Sequence, residues 1–134
     1  MTNDHDHHDL SSASGSASLV VGPEHTAIAA GSGDLPVLAT PVMLALMEAA
    51  ACDALDGRLP PGHTSVGIHA DVRHVAASPL GAHVTAVAEV VETSGARVTF
   101  AVRAEMQTGI EPTPIGRGTH VRVVVDRERF LASI

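Results

Sequence analysis

The chain has 134 residues and a formal net charge of −7, which is length for one domain and hardly two. That charge argues against general nucleic-acid binding, which needs a basic face, and two Phe without Trp or Tyr leave no platform for stacked bases. All eight basic residues are Arg, so chemistry that needs a lysine (a Schiff base, a pyridoxal-phosphate lysine, a phosphate-loop lysine) is excluded.

Residues 1–16 are polar and low in complexity and are expected to be a disordered tail. His5, His7 and His8 in it read as a surface tract and not as a metal site. The start has no basic segment followed by an apolar one, so no secretory signal is expected. The longest apolar run, Pro41 to Met47, is too short to cross a membrane. One cysteine, Cys52, rules out an internal disulfide and suits a reducing cytoplasm. The folded domain is expected over 17–134, with "SLVV" at 18–21 as a short first strand and 29–36 as a loop rich in turn formers.

The strongest helix follows. Thr40 is a plausible N-cap and Pro41 fits the first helical position. Ala, Leu and Met favour helix to about Leu55, and Gly57, Pro60 and Pro61 end it. It is apolar almost all round, so it should be enclosed. Beyond it the period changes to two. Val66, Ile68, Ala70 and Val72 alternate with Gly67, His69, Asp71 and Arg73, and His74 follows the parity of the apolar set. Further strands are expected over 82–93, 97–107 and 115–126, where Val121, Val123 and Val125 share a face. Short turns between them imply antiparallel pairing. A short strand, an enclosed helix and four antiparallel strands make an α+β fold, a curved sheet wrapped around one long central helix. That is the layout of the hot-dog fold.

Glu48 stands out in this pattern. A helical Glu is ordinarily a solvent-facing carboxylate, but Leu44, Met47, Ala49, Ala51 and Cys52 surround this one. A buried carboxylate is costly unless paired or used, and burial would make it a base near neutrality. Thr40 can be a cap alone, although a helix N-terminus also offers N–H groups to a developing oxyanion. His74 can be a satisfied core histidine or a proton-handling partner of that end. The other histidines carry bland readings: His63 and His83 lie near turns, His69 is on the opposite face from His74, and His120 is a weak pocket candidate. No set of His and acidic residues has zinc spacing, so neither metal nor cofactor is expected. Gly31–Gly33 and Gly116–Gly118 do not form phosphate loops. Arg73, Arg117 and Arg122 are candidates to meet phosphates, though solvated strand arginines are the commoner case.

"LATPVMLALMEAA", "VGIHADVRHVAASPLG" and "GRGTHVRVVV" together resemble, in order and spacing, the hot-dog thioesterases of the fluoroacetyl-CoA thioesterase type, over roughly residues 17–130. The resemblance implies a dimeric acyl-CoA thioesterase, with a tetramer left open. The family's Thr, Glu and His fall on Thr40, Glu48 and His74, its thioester-site glycine on Gly67 and its ligand-binding arginine on Arg122. Leu38 and Pro41, flanking Thr40, are expected to touch substrate. The family's best-known member carries an aromatic lid in the loop before the threonine. This chain has "GSGDLPVLAT" there, so a different small acyl group is expected, in a pocket of Leu35, Val37, Leu38 and Met43.

One geometric difficulty accompanies this. Eight residues of regular helix rise about 12 Å and turn roughly 80°, so Thr40 and Glu48 need not meet. The helix could begin later, the substrate could bridge them, or a second protomer could complete the site. Two other functions stay open. One is a non-catalytic acyl-CoA-binding module. The other is a hot-dog hydratase or dehydratase, for which Asp34 lacks a suitably spaced His.

Overall fold

The computed structural model describes residues 9–134, so the histidine tract at 5–8 lies outside the described residues. Strand β1 (Ser14–Val20) leads through a 3-10 turn (Pro23–His25) into the single-turn helix α1 (Ala27–Ala30). The long helix α2 (Thr40–Leu55) follows, then β2 (His63–His74), β3 (His83–Ser94), β4 (Arg97–Met106), β5 (Thr113–Asp126) and a terminal helix α3 (Arg127–Ala132). All pairings are antiparallel, in the order β1-β3-β4-β5-β2. This is the α+β sheet-and-helix layout expected above.

The packed domain includes residues before the expected boundary at residue 17. The strand starts at Ser14, and Leu10 and Ala13 are buried in the core. Gly15 explains the docking of this strand. A side chain there would overlap the α2 backbone at Ala50 and Ala54, so glycine on the strand and alanines on the helix let the two backbones close up. Phe100, Met43, Met47, Leu38, Ile115, Val84 and Val98 fill the space between helix and sheet, each almost fully buried. Burying one such side chain contributes roughly 1.5–3 kcal/mol.

Three expectations need correction. Ala39, not Thr40, is the N-cap of α2, and Thr40 and Pro41 occupy its first two positions. The helix is not enclosed in the single chain: Pro41, Ala45, Ala49 and Cys52 form an exposed stripe. Finally, β2 does not keep a strict period of two. A bulge between Gly67 and His69 shifts its register against β5, and Ile68 stands half-exposed at the shift. Directly opposed residues share a face, and His120 and Arg122 are buried inward. Gly67 opposes Arg122, Ala70 opposes His120 and His74 opposes Gly116. Gly67 therefore faces inward with His74, and Val66 faces outward. One inserted residue exchanges the faces, which no alternation pattern can reveal.

The two short helices, α1 and α3, have cap signals that strand periodicity does not detect. Thr26 Oγ1 accepts from the Ala29 amide, and Asp126 accepts from the Arg129 amide.

Candidate active site

The first four amides of a helix lack intrahelical partners. In α2 the Val42 and Met43 amides are satisfied by the Ala39 carbonyl, and Pro41 has no N–H. That leaves the Thr40 amide as the available backbone donor. Thr40 Oγ1 is 2.8 Å from His74 Nδ1, so the end of β2 and the start of α2 are tied through two polar side chains. Because the helix starts at Thr40 itself, a later start cannot shorten the distance to Glu48.

Burial pushes the His74 ring below its ordinary pKa, and the backbone at Ala76 opposes this only in part. The ring is therefore disposed to stay neutral, and its Nε2 is buried without a hydrogen-bond partner. An unpartnered buried nitrogen on a ring bonded to a hydroxyl calls for an explanation. The pair opens on a cavity of about 330 Å³ lined by Ala27, Ser32, Val37, Leu38, Thr40, His74 and Ala76, among others. Leu38 thus lines the space beside the pair. Pro41 is exposed on the helix and is not part of that wall. Of the other residues expected to line a pocket, Leu35 is exposed and Met43 lies in the core, under Gly116.

Glu48 belongs to a second cluster, further along α2. Its side chain is 42% exposed, so the premise that apolar neighbours bury it is wrong for the single chain. The reason is geometric: Ala45, Ala49 and Cys52 lie on the uncovered stripe beside it. The carboxylate still reaches inward. Its Oε2 is 3.7 Å from Arg122 Nη1 and 3.9 Å from His120 Nε2. A Cβ on Gly67 would come within 2.9 Å of the same oxygen, so Gly67 gives the acid its room.

Arg122 is 7% exposed. Its Nε donates to Ser65 Oγ at 2.8 Å and its Nη2 to the Ser65 carbonyl at 3.0 Å. A guanidinium bonded in this way is aimed at Glu48 and is not free on the surface. Arg73 and Arg117, the other phosphate candidates, are exposed and directly opposed on the outer face of the sheet.

The six residues singled out at Thr40, Glu48, His74, Gly67, Arg122 and Leu38 thus fall into two groups. Thr40, His74 and Leu38 meet at the helix start. Glu48, Gly67 and Arg122 meet about two helical turns on. Ser65 and fully buried His120 join the second group. For Ser65 the sequence carries no signal beyond a hydroxyl near a strand bulge. His120 is marked only by its place before Arg122.

Comparisons with known proteins agree with this architecture. A family model described as fluoroacetyl-CoA-specific thioesterase matches residues 21–128. A fluoroacetyl-CoA thioesterase from Streptantibioticus cattleyicolor is 40% identical over 98 residues, which is 73% of this chain and 68% of that protein. A solved structure of a fluoroacetyl-CoA thioesterase superposes with a TM-score of 0.81 at 34% identity, covering 92% of this chain and 93% of the other. A hot-dog-like protein from Thermanaerovibrio acidaminovorans gives a TM-score of 0.82 at 26% identity, covering 96% and 93%. With most of its length matched by both model and relatives, the chain belongs to the fluoroacetyl-CoA-specific thioesterase family.

Proposed function

We propose that this thioester hydrolase cleaves a small aliphatic acyl-CoA, with Thr40 and His74 binding the thioester carbonyl and Glu48 driving its hydrolysis. The observation that carries this reading is the 2.8 Å contact between Thr40 and His74 at the mouth of an apolar-walled cavity. The acyl chain enters that cavity. The carbonyl oxygen lies at the Thr40 amide and hydroxyl, where negative charge develops in the transition state. Glu48 acts in one of two ways. As a base it takes a proton from water while the water oxygen bonds to the carbonyl carbon. As a nucleophile its own oxygen forms that bond, giving a mixed anhydride that water then opens. In either case the C–S bond breaks and the sulfur leaves as thiolate, which takes up a proton to give free CoA.

The acyl group follows from the loop at 31–37. It carries no aromatic lid, and small residues (Ala27, Ser32, Ala76) line the cavity, so we assign an unfluorinated small acyl group as substrate. A panel of acyl-CoAs followed by thiol release tests this. Glu48→Gln is expected to abolish turnover with the fold intact, and near-normal activity would refute the assignment. Oxygen-18 from solvent water appearing in Glu48 after a single turnover marks the anhydride route.

The reading includes a homodimer. β2 is an edge strand, and unpaired edges invite pairing. The exposed helix stripe and Ile68 flank that edge, and Thr40 and Glu48 of one chain are separated by about 12 Å of helix. Antiparallel β2–β2 pairing around the bulge brings the Thr40–His74 pair of one copy toward Glu48 of the other. Mixing Thr40→Ala with Glu48→Gln then restores roughly a quarter of wild-type activity, since half the symmetric dimers carry one intact site. A mixture that stays inactive would mean that each site lies within one chain. The free, exposed Cys52 supports a reducing, cytoplasmic setting. Among the described residues no helix is long and apolar enough to cross a membrane.

A further inference from the structure

We propose that His120 is a positioning residue that holds the Arg122 guanidinium at a set distance from the Glu48 carboxylate. This rests on the reading of Glu48 as the reacting group.

The hydrogen bonds define the state of the ring. His120 is 1% exposed, and its Nδ1 lies 2.8 Å from the His69 carbonyl. A carbonyl only accepts, so Nδ1 carries the hydrogen. Its Nε2 lies 3.2 Å from Arg122 Nη1. A guanidinium only donates, so Nε2 is bare and the ring is the neutral Nδ1–H tautomer. The His69 carbonyl sits at the β2 bulge, where the ladder with β5 is locally disrupted. Phe100 flanks the ring, with centroids 6.3 Å apart and planes inclined by 26°. The imidazole therefore cannot swing away.

Arg122 is held on its other side. Ser65 takes Nε through its hydroxyl and Nη2 through its carbonyl. With Nη1 engaged by His120, three donors of a planar fork are fixed and little rotation is left to it. The guanidinium then stands 3.7 Å from Glu48 Oε2, near enough to act through charge yet outside a direct hydrogen bond. Without the imidazole acceptor, Nη1 has Glu48 as its nearest acceptor. The pair would close, and the carboxylate would be drawn to arginine and away from water or thioester. His120 thus competes for the arginine and leaves Glu48 free to react.

Two measurements on the full chain test this. Ring nitrogen-15 shifts of His120 near neutral pH are expected to show a protonated Nδ1 and a bare Nε2; an Nε2–H tautomer or an imidazolium overturns the proposal. In steady state, His120→Leu is expected to lower kcat on the order of a hundredfold, as misplacement of a reacting group does, with KM little changed. His120→Gln offers an amide oxygen to Arg122 and is expected to recover a large part of that loss without reaching wild type. Equal losses in the two variants, or a loss confined to KM, would overturn it. Should His120→Leu fail to fold, Ser65→Ala serves in its place: it keeps the carbonyl contact, removes the hydroxyl, and is expected to lower kcat to a smaller degree. An unchanged kcat for Ser65→Ala would count against the device. Retained turnover in Glu48→Gln would defeat the catalytic reading alone, since the tautomer is measured independently of activity.

Discussion

Gly67→Ala separates positioning from stability. The new methyl would sit 2.9 Å from Glu48 Oε2 and 3.1 Å from His120 Cε1, where ordinary contact begins at 3.4 Å. His120 is held by two hydrogen bonds and flanked by Phe100, so the half-exposed carboxylate has to give way, by about half an ångström. A 1 Å misplacement costs on the order of a hundredfold in rate, so half of that costs on the order of tenfold, or about 1.4 kcal/mol in the barrier. Stability should change little, because the tight contact with the held His120 ring offsets the gain expected from the stiffer unfolded chain. The backbone at Gly67 has no positive φ, and Gly→Ala at a compatible site stabilises by about 0.4–1 kcal/mol through the unfolded chain. Thiol-release kinetics and thermal unfolding on the same preparation decide the matter. The expected result is a tenfold lower kcat with a nearly unchanged Tm. Wild-type kcat, or a fall in Tm large enough to account for lost activity, would refute the reasoning.

Other substitutions probe the remaining contacts. Thr40→Ala removes the hydroxyl beside His74 but no helix cap, since Ala39 is the capping residue; kcat should fall by about a hundredfold or more while stability stays within about 0.5 kcal/mol, and Thr40→Ser should recover much of the rate in the same assay. Burial holds His74 below 6.5, so as the pH falls through 6.5 the unfolded chain takes up a proton that the folded chain refuses, and stability declines. Urea unfolding from pH 7.5 downward should show this decline, weakened in His74→Asn. The Ser78 hydroxyl is buried without a partner, so Ser78→Ala should raise stability by about 1 kcal/mol, read by the same unfolding assay.

The fold was legible where side-chain periods were long and unbroken. β4 alternates throughout, β3 and β5 alternate except at single extra residues at Val91 and Ile115, and α2 runs from Thr40 to Leu55 as its composition requires. Legibility failed at the bulge in β2. Reading β2 as a uniform alternation placed Gly67 on the face opposite His74, whereas the extra residue at Ile68 puts both inward. The consequence reached the site, because the neighbours of Glu48 follow from which strand residues face it. Ser65 carried no signal, and His120 stood only as a weak pocket candidate, for a second reason. Hydrogen-bond partners 57 and 51 residues apart leave no local pattern.

The placement of Glu48 now has a physical account different from the one its neighbours suggested. An acid in an apolar helical run looked like a buried charge. In the single chain it is half exposed, and the buried charge is Arg122 instead. A buried guanidinium is costly unless paired, and Glu48 is the carboxylate within 4 Å of it. The ion pair is stretched, because Ser65 and His120 hold the arginine in place from the other side. A stability-optimised pair would close that gap. One left open beside a glycine leaves the carboxylate free of a direct hydrogen bond to arginine, which is the geometry that the proposed reaction at Glu48 requires.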